Sequence, residues 1–183
     1  MGNPLRDRRT ASDLASSGQV IEFTEKLGDF KRLAGIVRAD LDRLDPDTLP
    51  RNWRDATVTG RLSFGFADAQ ERLAALEGRV AATIDAVCQR CLAPMQLPLV
   101  VELKLVFAPG ASAMEGRGYE VWELDEADLR PVDLVEETLI MALPLVATHG
   151  GEESCDGAPA TAGEAAETVR PFASLKERMA GQE

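Results

Sequence analysis

Residues Arg79 to Phe107 read RVAATIDAVCQRCLAPMQLPLVVELKLVF. On the upstream side Val80, Ala82, Ile84 and Ala86 recur at every second position and run straight into Cys88-Gln89-Arg90-Cys91. Downstream, Leu97, Leu99, Val101, Leu103, Leu105 and Phe107 hold the same period of two. That period belongs to a half-buried strand. Two such runs on either side of Cys88 to Pro94 predict an antiparallel pair with the cysteines on the turn between them.

Outward from this hairpin, Ala56 to Phe66 alternates in the same way, and Leu73 to Leu76 reads as the start of another short strand. Val20 to Phe23 and Tyr119 to Leu124 are further strand candidates. The period changes to helical over Asp29 to Leu44, where Phe30, Leu33, Ile36, Val37 and Leu41 line one face and Asp29 is a plausible N-cap. A second helix is expected from Asp133, with Glu136 three residues on as a capping box. Val135, Leu139, Ala142 and Leu143 form its apolar stripe, and Pro144 stops it. The fold class that follows is α+β: an antiparallel β-sheet or partly closed barrel flanked by helices, with disordered N- and C-terminal segments. The expected division is a disordered tail over 1–18, a single domain over 19–156, and a Gly/Ala/Glu linker with a short amphipathic motif over 157–183.

The chain has 183 residues, 45% of them hydrophobic, and a net charge of −11. It holds no run of eighteen apolar residues, so no membrane span is expected. Three cysteines, an odd number, suit a reducing cytosol better than a disulfide scaffold, and a cytoplasmic location is expected. The charge is uneven. Residues 1–60 sum to zero, residues 61–120 to −1 and residues 121–183 to −10. Nucleic-acid affinity comes largely from Lys and Arg neutralising phosphates, so a direct RNA contact should use the N-terminal half. The acidic end suits a basic protein partner or simply a solvated surface.

All the soft metal ligands fall in two places: Cys88 and Cys91, and His149 with Cys155 six residues later. Three thiolates and one imidazole are a zinc set. A hairpin tip puts the two sulfurs of a Cys-x-x-Cys on one side. The loop after Pro144 is free to bring His149 and Cys155 back to them, and Arg90 favours the thiolate forms. A closed site with four protein ligands is structural rather than catalytic. Two other readings stay open: a partial site of two cysteines, and thiols that hold no metal. A thiol redox role is a third, although a redox Cys-x-x-Cys opens a helix after a strand in a parallel βαβ unit, which is absent from this pattern.

Nothing else reaches catalysis. A single His serves no Ser-His-Asp arrangement, and Gly110 to Gly118 lacks the Lys of a phosphate loop. Neither a small-molecule substrate nor an enzymatic activity is expected.

Four pieces in fixed order resemble the YceD-like family of large ribosomal RNA subunit accumulation proteins. They are Cys88-Gln89-Arg90-Cys91-Leu92 after an alternating strand, Val135-Glu136-Glu137-x-x-Ile140-x-Ala142-Leu143-Pro144-Leu145, the His149 to Cys155 loop, and Pro171-Phe172-Ala173-x-Leu175-Lys176. The resemblance implies a bacterial, cytoplasmic, non-enzymatic factor for the accumulation, processing or stability of large-subunit ribosomal RNA. By the same likeness Cys88, Cys91, His149 and Cys155 occupy the family's Cys-x-x-Cys and His…Cys positions. The expected partner is large-subunit ribosomal RNA, a ribosomal protein or an assembly factor, with Arg90 at the hairpin tip as the candidate contact. The alternative is a zinc-stabilised protein-interaction module without a direct RNA role.

Overall fold

A computed structural model describes residues 3–68, 73–107, 118–124, 128–149 and 155. The chain order is β1 (Arg9–Thr10), α1 (Ala11–Ser16), β2 (Val20–Lys26), α2 (Lys31–Leu41), β3 (Thr57–Asp68), β4 (Leu73–Val87), β5 (Pro94–Phe107), β6 (Glu120–Trp122), β7 (Asp128–Leu129) and α3 (Pro131–Met141). Five strands form one sheet in the order β2-β3-β4-β5-β6, and β1 pairs with β7 in a separate short ribbon. The four long strands are antiparallel neighbours, whereas β6 joins β5 in parallel. The class is α+β as the periodicities predict. Among the described residues the sheet stays open, so the partly closed barrel is not formed.

The alternating pattern explains the layering. Val58, Leu62, Leu76 and Val80 are fully buried on one face. Leu33, Val37 and Leu41 of α2 and Leu134, Val135 and Leu139 of α3 belong to the same core. The other face is solvated and carries a row set by register: Glu22 opposite Arg61, Arg61 opposite Arg79, and Arg79 opposite Glu102. The two central arginines lie side by side, and each is paired with a flanking glutamate, Arg61 with Glu22 and Arg79 with Glu102. On the core face a cross-strand pair of unequal size fits one aromatic: the Phe23 ring lies over Gly60, where a Cβ would come within 2.5 Å of it.

Three expectations are corrected. Residues 1–18 are not a disordered tail, because from residue 3 the chain is built into the fold. Thr10 caps α1 by accepting the Asp13 N–H, Leu5 and Leu14 are buried, and Leu5 O accepts the Val132 N–H at 2.8 Å. Few apolar residues, widely spaced, gave this segment no readable period. Leu73 to Leu76 is not a separate short strand but the start of the fifteen-residue β4.

The helix caps are also arranged differently. Asp29 falls in a short 3-10 turn, and α2 begins after Phe30 without a side-chain cap of its own. Glu136 of α3 supplies the missing acceptor: its Oε1 takes the backbone N–H groups of Arg32 at 2.7 Å and Leu33 at 3.1 Å. The helix containing Glu136 itself starts at Pro131, an N-terminal position that suits a residue with no N–H to satisfy. The expected capping box is therefore a bridge between two helices. The Pro171–Lys176 motif and the 157–163 linker lie outside the described residues.

Candidate metal centre

The β4–β5 hairpin positions half of the site. Its last registered pair is Val87 with Pro94, leaving Cys88 to Ala93 as the turn. Cys88 N–H donates to Ala93 O at 3.0 Å, and Leu92 N–H donates to Cys88 O at 2.9 Å. Leu92 takes φ 59°, the left-handed conformation that lets the chain reverse. The base of this knuckle is fastened to α2, since Val87 N–H donates to Asp40 Oδ2 at 2.8 Å.

The other half arrives on the chain after α3. Pro144 follows the last helical turn, and Ala147 O then accepts the Gln89 N–H at 2.8 Å. That one backbone bond stitches the returning chain to the knuckle just before His149. The four expected ligands come together: one donor atom from each of Cys88, Cys91, His149 and Cys155 lies within 4.8 Å of the other three. Cys88 is buried, and Cys91 and Cys155 are half-buried.

The spacing can be tested against an ion. Zn–S bonds of about 2.3 Å and Zn–N bonds of about 2.0–2.1 Å imply tetrahedral edges of about 3.8 Å for S···S and about 3.5 Å for S···N. Cys88 Sγ and Cys155 Sγ are 3.7 Å apart. His149 Nδ1 is 3.5 Å from both Cys91 Sγ and Cys155 Sγ. The donor set and these three edges fit tetrahedral zinc, and the remaining edges lie within 4.8 Å. The same 3.7 Å is far beyond an S–S bond of about 2.0 Å, and all three cysteines are free.

Local dipoles and charges prepare the sulfurs unequally. Cys88 is lowered to about 5, chiefly by the Cys91 backbone N–H, with burial opposing and the His149 and Arg90 N–H groups assisting. Cys155 is lowered first by Arg90, whose guanidinium donates Nε–H at 3.2 Å and Nη2–H at 3.0 Å to its Sγ. The expected effect of Arg90 on the thiolates thus falls on Cys155. At Cys91 the Ala93 N–H acts downward, but burial and the two neighbouring sulfurs outweigh it and the thiol is raised. His149 is raised, Cys155 being the main cause. Arg90 is exposed, and two of its guanidinium N–H groups are turned inward to the Cys155 sulfur.

Asp40, Gln89 and Ala147 are the supporting residues that periodicity does not disclose. Asp40 had only its place near the end of an amphipathic helix, and backbone partners such as Ala147 leave no trace in residue type. No helix among the described residues is long and apolar enough to cross a membrane.

Comparison with known proteins places the same residues in a wider pattern. The family model described as "Large ribosomal RNA subunit accumulation protein YceD" matches residues 76–177, a span that takes in both halves of the centre. A protein of Haemophilus influenzae with that same name is 36% identical over 103 residues, covering 54% of this chain and 56% of the relative. The chain therefore spans about half the length of the curated relative it matches. No solved structure matches.

Proposed function

The chain belongs to the YceD family of large ribosomal RNA subunit accumulation proteins, and on that premise we propose that it is a non-enzymatic, cytoplasmic factor supporting accumulation, processing or stability of large-subunit ribosomal RNA. The observation that carries this reading is the family match across residues 76–177. The Cys88–Cys91–His149–Cys155 centre serves it as a structural zinc clamp. Four protein donors leave no open position for substrate, and the bound ion would tie the β4–β5 hairpin to the chain beyond α3.

The charge pattern limits how RNA is met. With −10 over residues 121–183, that end of the chain would repel phosphate, so any contact with RNA belongs to the balanced N-terminal half. A ribosomal protein or assembly factor, being basic, suits the acidic end. Arg90 holds Cys155 Sγ through two guanidinium N–H groups, so any contact role it has comes second to holding that sulfur.

Deletion of the gene should lower large-subunit RNA and the 50S fraction in a sucrose-gradient profile, and the wild-type chain should restore both. An unchanged subunit profile would sink the reading. The zinc clamp has its own measurement. The purified, reduced chain should carry one equivalent of zinc that is lost in both Cys88→Ser and His149→Ala, with a fall of about 6 °C or more in melting temperature. Metal-free native protein of unchanged stability would remove the clamp while leaving the RNA role standing.

A further inference from the structure

Beside the knuckle, α2, the adjoining ends of β4 and β5 and the chain after α3 enclose a groove of about 390 Å³. Its lining includes Ile36, Val37, Ile84, Leu97, Leu143 and Leu145. Leu145 is fully exposed, its neighbour Val146 is 63% exposed and Ile36 is 42% exposed. Apolar side chains gathered on one surface mark a place that something covers. Gln89 and Ala147, joined by a backbone hydrogen bond, also line it. Cys88, next to Gln89, stands 3.7 Å from Cys155. The groove thus adjoins the metal centre.

We propose that residues 171–178 of the same chain dock in this groove, an assignment that goes beyond the ribosomal RNA reading and does not depend on it. Pro171-Phe172-Ala173-Ser174-Leu175-Lys176 spaces its two large apolar residues three apart, so that in a helical turn they share one face, with Pro at the favoured first position. Charge supports the pairing. Residues 121–183 hold four basic residues, and three of them, Arg170, Lys176 and Arg178, stand in or beside this segment against Glu177, a net charge of +2 over 170–178. The groove lining sets Asp40 and Asp85 against the single cation Arg43.

Length permits the return. Residues 156–170 separate Cys155 from Pro171, and fifteen residues span at most about 50 Å extended, or about 20 Å as a flexible linker. Attachment through a short linker beside the groove gives the segment an effective concentration on the order of millimolar, so a modest intrinsic affinity suffices. A second copy or a foreign peptide lacks that advantage.

The test uses the full chain with Phe172→p-benzoylphenylalanine, irradiated and mapped by mass spectrometry at several protein concentrations. The expected crosslinks are internal, reach residues 36–43, 97 or 143–147, and keep the same yield on dilution. Leu145→Glu, at a fully exposed position, should cut that yield at least threefold while circular dichroism stays unchanged. Crosslinks between chains that grow with concentration would overturn the proposal and assign the segment to a second copy. Internal crosslinks elsewhere, crosslinks indifferent to Leu145→Glu, or none at all would overturn it as well.

Discussion

Cys88 and Cys91 are separated by two residues and prepared in opposite ways. Metal binding needs thiolates and a neutral imidazole, so any proton still held must leave. The Cys88 thiol, lowered to about 5, has already lost its proton at neutral pH. Cys91 is raised above its ordinary value of 9.0 and keeps one, and His149, raised above 6.5, is protonated in a larger fraction than a free histidine. Zinc binding at pH 7 should therefore release at least one proton, from Cys91, and part of a second from His149. Calorimetric titrations in buffers of different ionisation enthalpy would count them, and zero release would contradict this charge pattern. In the metal-free chain the sign is also fixed. A depressed thiol stabilises the fold most fully above 9.0, and that contribution from Cys88 is lost as pH falls through about 5. These four residues were legible beforehand because their types are scarce and their chemistry is shared. Asp40, which holds the knuckle through one backbone N–H, was not, since nothing in its type or spacing distinguishes it from a solvated helix acid.

Between elements, the Glu136 carboxylate does for α2 what a local N-cap residue ordinarily does. Two backbone N–H groups rest on it, so Glu136→Ala should cost about 1 kcal/mol in urea denaturation and speed amide exchange at Arg32 and Leu33. Its neighbour Glu137 pairs with Arg32 at a side chain 63% exposed, so Glu137→Ala should cost no more than about 0.5 kcal/mol. Equal effects from the two would refute the division of labour. The strands carry a second contrast. Gly60→Ala drives a Cβ into the Phe23 ring and should cost about 1–3 kcal/mol, whereas Gly65→Ala meets nothing within 4 Å and should be near neutral. Strand and helix existence was readable because periods of 2 and 3.6 persist over many residues. Glu136 was noticed as a capping acid but assigned to its own helix, because spacing along the chain reveals local partners and not partners a hundred residues away.

At the scale of the molecule, residues 3–16 are structural: Leu5 and Leu14 are buried in the common core, and α1 packs near β3 and β4. Removing residues 1–16 should cost about 3 kcal/mol or more, from two leucines and the backbone bond to Val132, and a truncated chain as stable as the whole would contradict this placement. A disordered tail was a fair reading of so polar a stretch, because two isolated leucines reveal their partners only in three dimensions. The metal centre also joins distant parts of the chain, with Cys88 and Cys155 separated by 67 positions. Proteins are made from the N-terminus, so β2 to β5 and the knuckle exist before His149 and Cys155 have been synthesised. Any ion met during that interval finds two sulfurs and can leave again, whereas one met after residue 155 finds four donors. If the four residues hold zinc as proposed, retention of the ion should be weak on a chain that ends before residue 155 and firm on the finished chain.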